Sequence, residues 1–288
     1  MNSKTSYLIL VVAALCAGAV AKATPVQEVT LLVPKQESTS LLGWADLSLD
    51  YSVRTDLNSD KSPNAYAHAL DLSLSKQFGP YTAFISGGVD YTTLGATVYR
   101  QTNKENYYSL RDASAGATRS YVLSGRNSLS LFVTEDILLS DDSRYFGYRS
   151  VTGGKLGLTT RVTSWLSARQ TVDGSYILNR YRFAPVSSGK IHIGDINPDS
   201  LATYGVGPVF TLMKGLKLSA TLAVRATHYL DGTYLYGFGN SYSLVYASGH
   251  WSAWMKYLNK GYADRGETSL WFADEYRRLA SAGITVDF

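Results

Sequence analysis

The sequence predicts an all-β chain, an antiparallel up-and-down transmembrane β-barrel of twelve strands, with ten as the alternative count. Three observations carry that expectation. Apolar and polar residues alternate with period two from about Leu41 to the C-terminus, tight turns alternate with long polar connections, and the chain opens with an export segment. Hydrophobic residues make up 45% of the 288 residues and charged ones 17%, with 25 Gly and 7 Pro, which excludes a disordered or collagen-like chain. A mean hydropathy of −0.08 excludes a bundle of membrane helices, each of which needs about 20 consecutive apolar residues.

The export segment comes first. Lys4 precedes an apolar run from Tyr7 to Ala21, which ends in the small-x-small pattern Ala21-Lys22-Ala23. Residues 1–23 read as a cleavable signal peptide, because the apolar run is short for an anchor helix. Lipidation at Cys16 is disfavoured, since Leu15 stands where a small residue is needed. Cleavage takes away Lys4, Lys22 and Cys16, so the formal charge falls from +4 to +2 and no cysteine remains. Disulfides, thiol chemistry and cysteine metal sites are thereby excluded, and the weak positive balance gives no case for nucleic acid.

Residues 24–40 show no alternation and are expected to form a periplasmic N-terminal extension, with the barrel over residues 41–288. The first clear strand sets Ala45, Leu47, Leu49, Tyr51 and Val53 against Asp46, Ser48, Asp50, Ser52 and Arg54, so one face is greasy and the other wet. The pattern returns in nine further strands, near 65–78, 81–98, 154–163, 165–183, 201–213, 216–230, 234–248, 250–262 and 278–288. Tyr121, Leu123, Leu129, Leu131 and Val133, spaced by Ser124, Arg126, Ser128 and Ser130, predict one more strand, and a weaker segment near 137–150 predicts another. Single-chain bacterial barrels have even strand numbers, so these two stand or fall together. Short turns are expected at Gly79-Pro80, Thr163-Ser164, Lys214-Gly215 and Gly249-His250, and long loops at about 101–118, 184–200 and 263–277.

A soluble β-sandwich also alternates. Aromatics at the ends of the apolar stripes favour the membrane, as with Tyr66 and Phe78 around Leu70–Leu74 and Tyr204 and Phe210 around Val206. In hydrocarbon every backbone N–H and C=O needs a partner within the protein, and strands meet that demand only by closing into a ring.

The chain ends Ala282-Gly283-Ile284-Thr285-Val286-Asp287-Phe288. Gly283, Val286 and the terminal Phe288 resemble the C-terminal assembly signal of Gram-negative outer-membrane β-barrel proteins, departing from it at Ala282, where that family usually has a polar residue. The resemblance implies the bacterial outer membrane as location. It implies the lipid bilayer, lipopolysaccharide and the barrel-insertion machinery as partners.

With Ile284, Val286 and Phe288 as the lipid register, the polar parity of each strand is expected to line the lumen. That assignment gives an acidic wall of Asp46, Asp50, Asp56, Asp71, Asp90 and Asp287. It gives a basic wall of Arg126, Lys155, Arg161, Arg169, Arg225, Lys256 and Lys260. One reading is a small porin-like passive channel whose transverse field sieves hydrophilic solutes. A second is a plugged barrel in which the two walls pair across the lumen, leaving a structural anchor, adhesin or surface-interaction protein.

A third reading is an outer-membrane hydrolase, because barrels of this size host catalysis without implying it. Four histidines are available. His68 and His228 fall on apolar parity, His250 in a turn, and His192 lies three residues from Asp195 in a long loop, a spacing compatible with an acid–base pair. Nothing resembles the His-x-Ser-Asn-Gly segment of outer-membrane phospholipases, and Thr152-Gly153-Gly154-Lys155 lacks the flanking residues of a phosphate loop and reads as a strand-joining turn. No metal-ligand cluster and no cofactor motif is visible, so neither enzyme activity nor a cofactor is expected. Tyr107, Tyr108, Trp271 and Phe272 in the long loops are candidates for contact with ligand, sugar or another surface, or for interface anchoring.

Replacing Phe288 by Ala, or deleting it, is expected to lower the heat-modifiable, membrane-inserted fraction in outer-membrane preparations severalfold. Undiminished insertion would remove the assembly-signal reading.

Overall fold

The computed structural model describes residues 44–56, 66–92, 107–140, 143, 147–183, 196–262 and 278–288. The expected signal peptide and N-terminal extension lie outside the described residues.

Among the described residues the alternating sequence becomes thirteen strands and one sheet. They are β1 (Asp46–Asp56), β2 (Tyr66–Phe78), β3 (Tyr81–Thr92), β4 (Tyr107–Leu110), β5 (Ala113–Val122), β6 (Asn127–Ile137) and β7 (Tyr148–Arg161). They continue as β8 (Leu166–Asn179), β9 (Pro198–Met213), β10 (Leu216–Tyr229), β11 (Tyr234–Ser248), β12 (Trp251–Tyr262) and β13 (Arg278–Asp287). Every pairing is antiparallel between sequence neighbours, apart from β3 with β5 across the short β4 and the closing pair β1 with β13. The result is a closed twelve-strand up-and-down barrel in which β4 continues β5 along the edge of β3.

The strand number matches the expectation, but several boundaries do not; the weaker segment near 137–150 is not a strand of its own, since β6 ends at Ile137 and β7 begins at Tyr148. The expected strand through Tyr121 to Val133 contains a hairpin turn. Leu123 N–H bonds Asn127 O, and Ser124 Oγ accepts the N–H groups of Arg126 and Asn127. The expected loop at 101–118 overlaps β4 and β5. Here Ala113, Ala115 and Ala117 alternate with Ser114, Gly116 and Thr118, a period-two pattern in small residues whose hydropathy contrast is too low to read as a strand. Thr152-Gly153-Gly154-Lys155 lies inside β7 rather than in a turn.

Tight turns join β2–β3, β5–β6, β7–β8, β9–β10 and β11–β12 at one rim, where β1 begins and β13 ends. Gly79 has φ +56°, as the first central residue of a II′ hairpin requires, and Pro80 supplies the fixed negative φ after it. The opposite rim carries the longer connections and the four-residue turn Leu230–Thr233. There Asp231 accepts from the Thr233 N–H and hydroxyl, which hold its carboxyl below the usual range.

Register divides every strand into two faces. On β1 and its neighbours, Leu49 pairs with Val286 and Leu72, and Tyr51 with Ile284 and Leu70. The same greasy row continues around the ring through Val89, Leu131, Leu156, Val172, Tyr204, Val224, Leu244 and Met255. This face is bare. Ala45, Leu129 and Ile177 are the buried hydrophobics among the described residues, whereas Ile85 is 61% and Met255 62% exposed. A water-soluble fold would put these side chains inside; a barrel in hydrocarbon leaves them outside. Aromatics collect at both ends of the greasy band. Trp165 stacks on Phe210 and Trp251 meets Tyr246 near the short-turn rim, while Tyr91 meets Tyr108 and Tyr234 stacks on Tyr236 near the other. Arg119 lies against the rings of Tyr81 and Tyr121 at the short-turn rim, its stem on the apolar face and its head at the band's edge.

One strand carries proline without leaving the ladder. Pro208 on β9 offers no N–H to β10, and the adjoining Gly207 lets the two backbones close up, since a Cβ there would collide with the Ala220 carbonyl. Gly207→Val is therefore expected to destabilise the barrel by about 1–3 kcal/mol or to prevent closure. Urea unfolding in detergent micelles, compared with Gly205→Ala, measures it; equal midpoints would show that the contact relaxes freely.

Candidate functional site

The inward face carries the polar parity of the strands, and its chemistry starts from one extra residue. Val89 pairs with Leu110 and Ser86 with Ser114, so Arg111, Asp112 and Ala113 stand opposite only Gly87 and Gly88. This β-bulge slips the strand by one position, and two consecutive charged side chains, Arg111 and Asp112, both turn inward. Arg111 Nη1 donates to Asp71 Oδ2 at 2.6 Å and its Nε lies 3.8 Å from Asp90 Oδ1. Gly88 leaves room for this arrangement, because a Cβ there would occupy the space of the Asp71 carboxylate.

Asp50 pairs across the ladder with Asp71 on one side and Thr285 on the other. Its Oδ2 accepts the Thr285 hydroxyl at 2.6 Å and faces Trp254 Nε1 at 3.4 Å, reaching over β13. Side chains flanking a strand converge like this on the concave side of a sheet, which identifies the polar parity as the lumen. Asp46, Asp50, Asp71, Asp90 and Asp287 thus lie on four adjoining strands, β13, β1, β2 and β3, and share the inward face. Asp56 is in β1, with its side chain outside the described residues.

The cationic set is more dispersed. Lys155, Arg161, Arg169, Arg225 and Lys256 fall on the inward parity of β7, β8, β10 and β12. Lys260 is on β12, with its side chain outside the described residues. Arg126 is a correction: it belongs to the exposed turn between β5 and β6, because the chain reverses at Ser124 and gives it no strand parity. Neither wall is of one sign. Arg54 and Arg111 stand among the carboxylates, Lys155 lies 3.8 Å from Asp173 on β8, and Asp136 on β6 accepts the Ser114 hydroxyl. Sequence reasoning missed Arg111 because its strand read as loop. The Lys155–Asp173 pair follows from a register only the structure supplies.

Asp112 uses the same bulge differently. Its Oδ1 accepts the N–H groups of Leu139 and Ser140, and its Oδ2 the Ser143 hydroxyl at 2.6 Å, which ties the connection after β6 to the barrel wall.

The remaining candidates separate. His192, Asp195, Trp271 and Phe272 lie outside the described residues. His68 faces outward and bonds the Tyr51 hydroxyl at 2.8 Å. His228 also has outward parity, and a second bulge, where Asp199 is the extra residue between Pro198 and Ser200, places the Asp199 carboxylate 3.1 Å from its Nδ1. Tyr108 is exposed and packs on Tyr91, within the aromatic band. Gly283 lies under Trp254, while Val286 pairs with Leu49 and Trp251 on the greasy face. The Phe288 N–H bonds Leu47 O, so the last residue extends the closing ladder. Among the described residues no group of three or more His, Cys, Asp or Glu side chains is placed to hold a metal ion.

No family model matches the chain, and no curated protein matches it in sequence. Solved structures do. An outer-membrane channel from Pseudomonas putida F1 superimposes with a TM-score of 0.56 at 10% identity, over 85% of this chain and 95% of that one. The KdgM porin gives 0.49 at 11% identity, over 84% and 99%. Salmonella typhi OmpF gives 0.40 at 9% identity, over 85% and 97%. At such identities the likeness is one of fold: the chain is similar in architecture to outer-membrane channel barrels.

Asp112→Ala leaves two amides and a hydroxyl without their acceptor, a loss of about 1–3 kcal/mol in local opening. Faster hydrogen exchange at Leu139 and Ser140, with unchanged exchange in β9 and β10, is expected; unaltered protection would mean that other contacts hold the segment.

Proposed function

We propose that the chain is an exported outer-membrane protein acting as a small passive channel for hydrophilic solutes. The observation that carries this reading is the direction of the inward ion pairs. Arg111 bonds Asp71, two ladder steps away, and Lys155 meets Asp173 on the adjoining strand, so these charges are neutralised along the wall and do not bridge the lumen. Pairing of that kind supports a wall of fixed dipoles around a wet passage. A twelve-strand ring is intermediate between eight-strand barrels filled by side chains and the open sixteen-strand porins. Serine and threonine supply much of the remaining inner wall, as in Ser52, Ser73, Ser86, Ser130, Ser219 and Ser243. The similarity to outer-membrane channel barrels supports the same reading at the level of fold.

In this orientation the short-turn rim, where β1 begins and β13 ends, faces the periplasm, and the longer connections face outward. Lipid and lipopolysaccharide meet the greasy band, where two overlapping shallow grooves of about 430 and 420 Å³ run over Ala253, Ala280 and Ala282 between Val53 and Leu244.

Reconstitution in a planar bilayer tests the channel. Discrete ion-conducting steps are expected, and silence from protein with intact heat-modifiable migration would overturn it in favour of an anchor or adhesin. Arg111→Ala removes the cation between Asp71 and Asp90, so under a KCl gradient the reversal potential is expected to move towards potassium, with a severalfold rise in cation over anion permeability. An unmoved potential would show that ions do not pass this wall.

A further inference from the structure

Phe84, Phe132 and Trp254 stand on the inward face, among hydroxyls and charges, and Phe84 and Trp254 lie over glycine. Phe84 on β3 reaches across β5, where the position of a Cβ on Gly116 is only 2.7 Å from its Cζ, and stacks on Phe132 of β6 at 5.3 Å between centroids and 13° between planes. Trp254 on β12 lies over Gly283 of β13, with Cε2 and Cζ2 each 2.7 Å from the corresponding point. Any larger residue at Gly116 or Gly283 would push the ring off the wall. These glycines therefore let each ring rest against the backbone, and Phe132 remains 36% exposed.

The rings share a level. Phe84 is three residues past Tyr81, the first of β3, and Trp254 three past Trp251, the first of β12; both strands start from tight turns at the same rim. Between them run β13, β1 and β2, which carry Asp50 and Asp71. The Trp254 indole N–H already points to Asp50, so the carboxylate and the ring form one unit.

The geometry points to a saccharide-binding level in the lumen: Trp254 and the Phe84–Phe132 pair are stacking platforms, on separate parts of the wall, that a linear, uncharged oligosaccharide meets as it passes. This rests on the channel reading. The chemistry follows from what each surface offers. A pyranose ring has a face of C–H bonds, made electropositive by the neighbouring oxygens, that fits the negative face of an aromatic ring, and a rim of hydroxyls that needs donors and acceptors. Asp50 and Asp71 accept from such hydroxyls, and Arg111 donates. An aliphatic solute would leave these polar groups without partners, while a simple ion would gain nothing from the rings. The carboxylates beside Trp254 disfavour an anionic sugar, which selects the uncharged class.

Maltohexaose and cellohexaose, added to single channels of the full protein, test this, with polyethylene glycol of similar mass as the control polymer. At least one hexasaccharide is expected to interrupt the current in a saturable way. Trp254→Ala and Phe132→Ala should each raise the half-blocking concentration about fivefold, while Trp254→Phe and Phe132→Tyr, which keep a ring, stay near the parent. Heat-modifiable migration verifies that each variant is folded. A conducting parent that neither hexasaccharide blocks, or a block that all four variants retain unchanged or that polyethylene glycol reproduces, overturns the saccharide site and leaves the channel standing. A parent that conducts nothing overturns the channel, and this inference with it.

Discussion

The bond between the first strand and the last is what the rest of the molecule depends on. Nine residue pairs from Ser48–Asp287 to Asp56–Leu279 join β1 to β13, and the Phe288 amide adds a bond to Leu47. In hydrocarbon an open edge would expose a row of N–H and C=O groups at a cost of several kcal/mol each, so the ring closes or the chain does not stay in the membrane. Closure also explains why so few apolar side chains are buried among the described residues. Side chains of one parity face lipid and those of the other face the lumen, which leaves no third place for a buried apolar layer.

Once the ring is closed, its inner surface is shaped by irregularities more than by the regular ladder. The bulge at Arg111 and Asp112 turns two neighbours to the same side, one towards the carboxylates of Asp71 and Asp90 and one towards the connection after β6. Glycine works in the opposite sense: Gly88, Gly116 and Gly283 each remove a side chain so that a neighbour on the next strand can lie over the backbone. Addition at one site and deletion at another thus place charge and ring in positions that strict alternation would give to serine or threonine.

Legibility follows the same division. The parity of Asp46, Asp50, Asp71, Asp90 and Asp287 was readable because their strands alternate between large apolar and polar residues, and contrast of that size survives any uncertainty in strand ends. β5 was hidden because alanine and serine differ too little in hydropathy to show which face is which. Parity alone puts Arg126 on a wall because the alternation around it runs through a turn; Ser124, whose hydroxyl caps that turn, Gly125 and Asn127 are the local signals against it. The pairs Lys155–Asp173 and His228–Asp199 depend on register and on a bulge, neither of which leaves a mark in a single sequence.

The pairing of charges on adjoining strands also bears on how such a lumen stays open. Opposite charges attract across a narrow tube, and two walls of single sign would be drawn together or bridged by long side chains. Placing Arg111 among the carboxylates and Asp173 beside Lys155 satisfies each charge locally, where strands about 5 Å apart are already fixed by the ladder. Arg54 and Arg111 offset only part of the charge of Asp46, Asp50, Asp71, Asp90 and Asp287 on their side of the ring. In the proposed channel, local pairing of this kind leaves hydrogen bonding and ring contact to act beside charge, which is the setting of the Trp254–Asp50 unit.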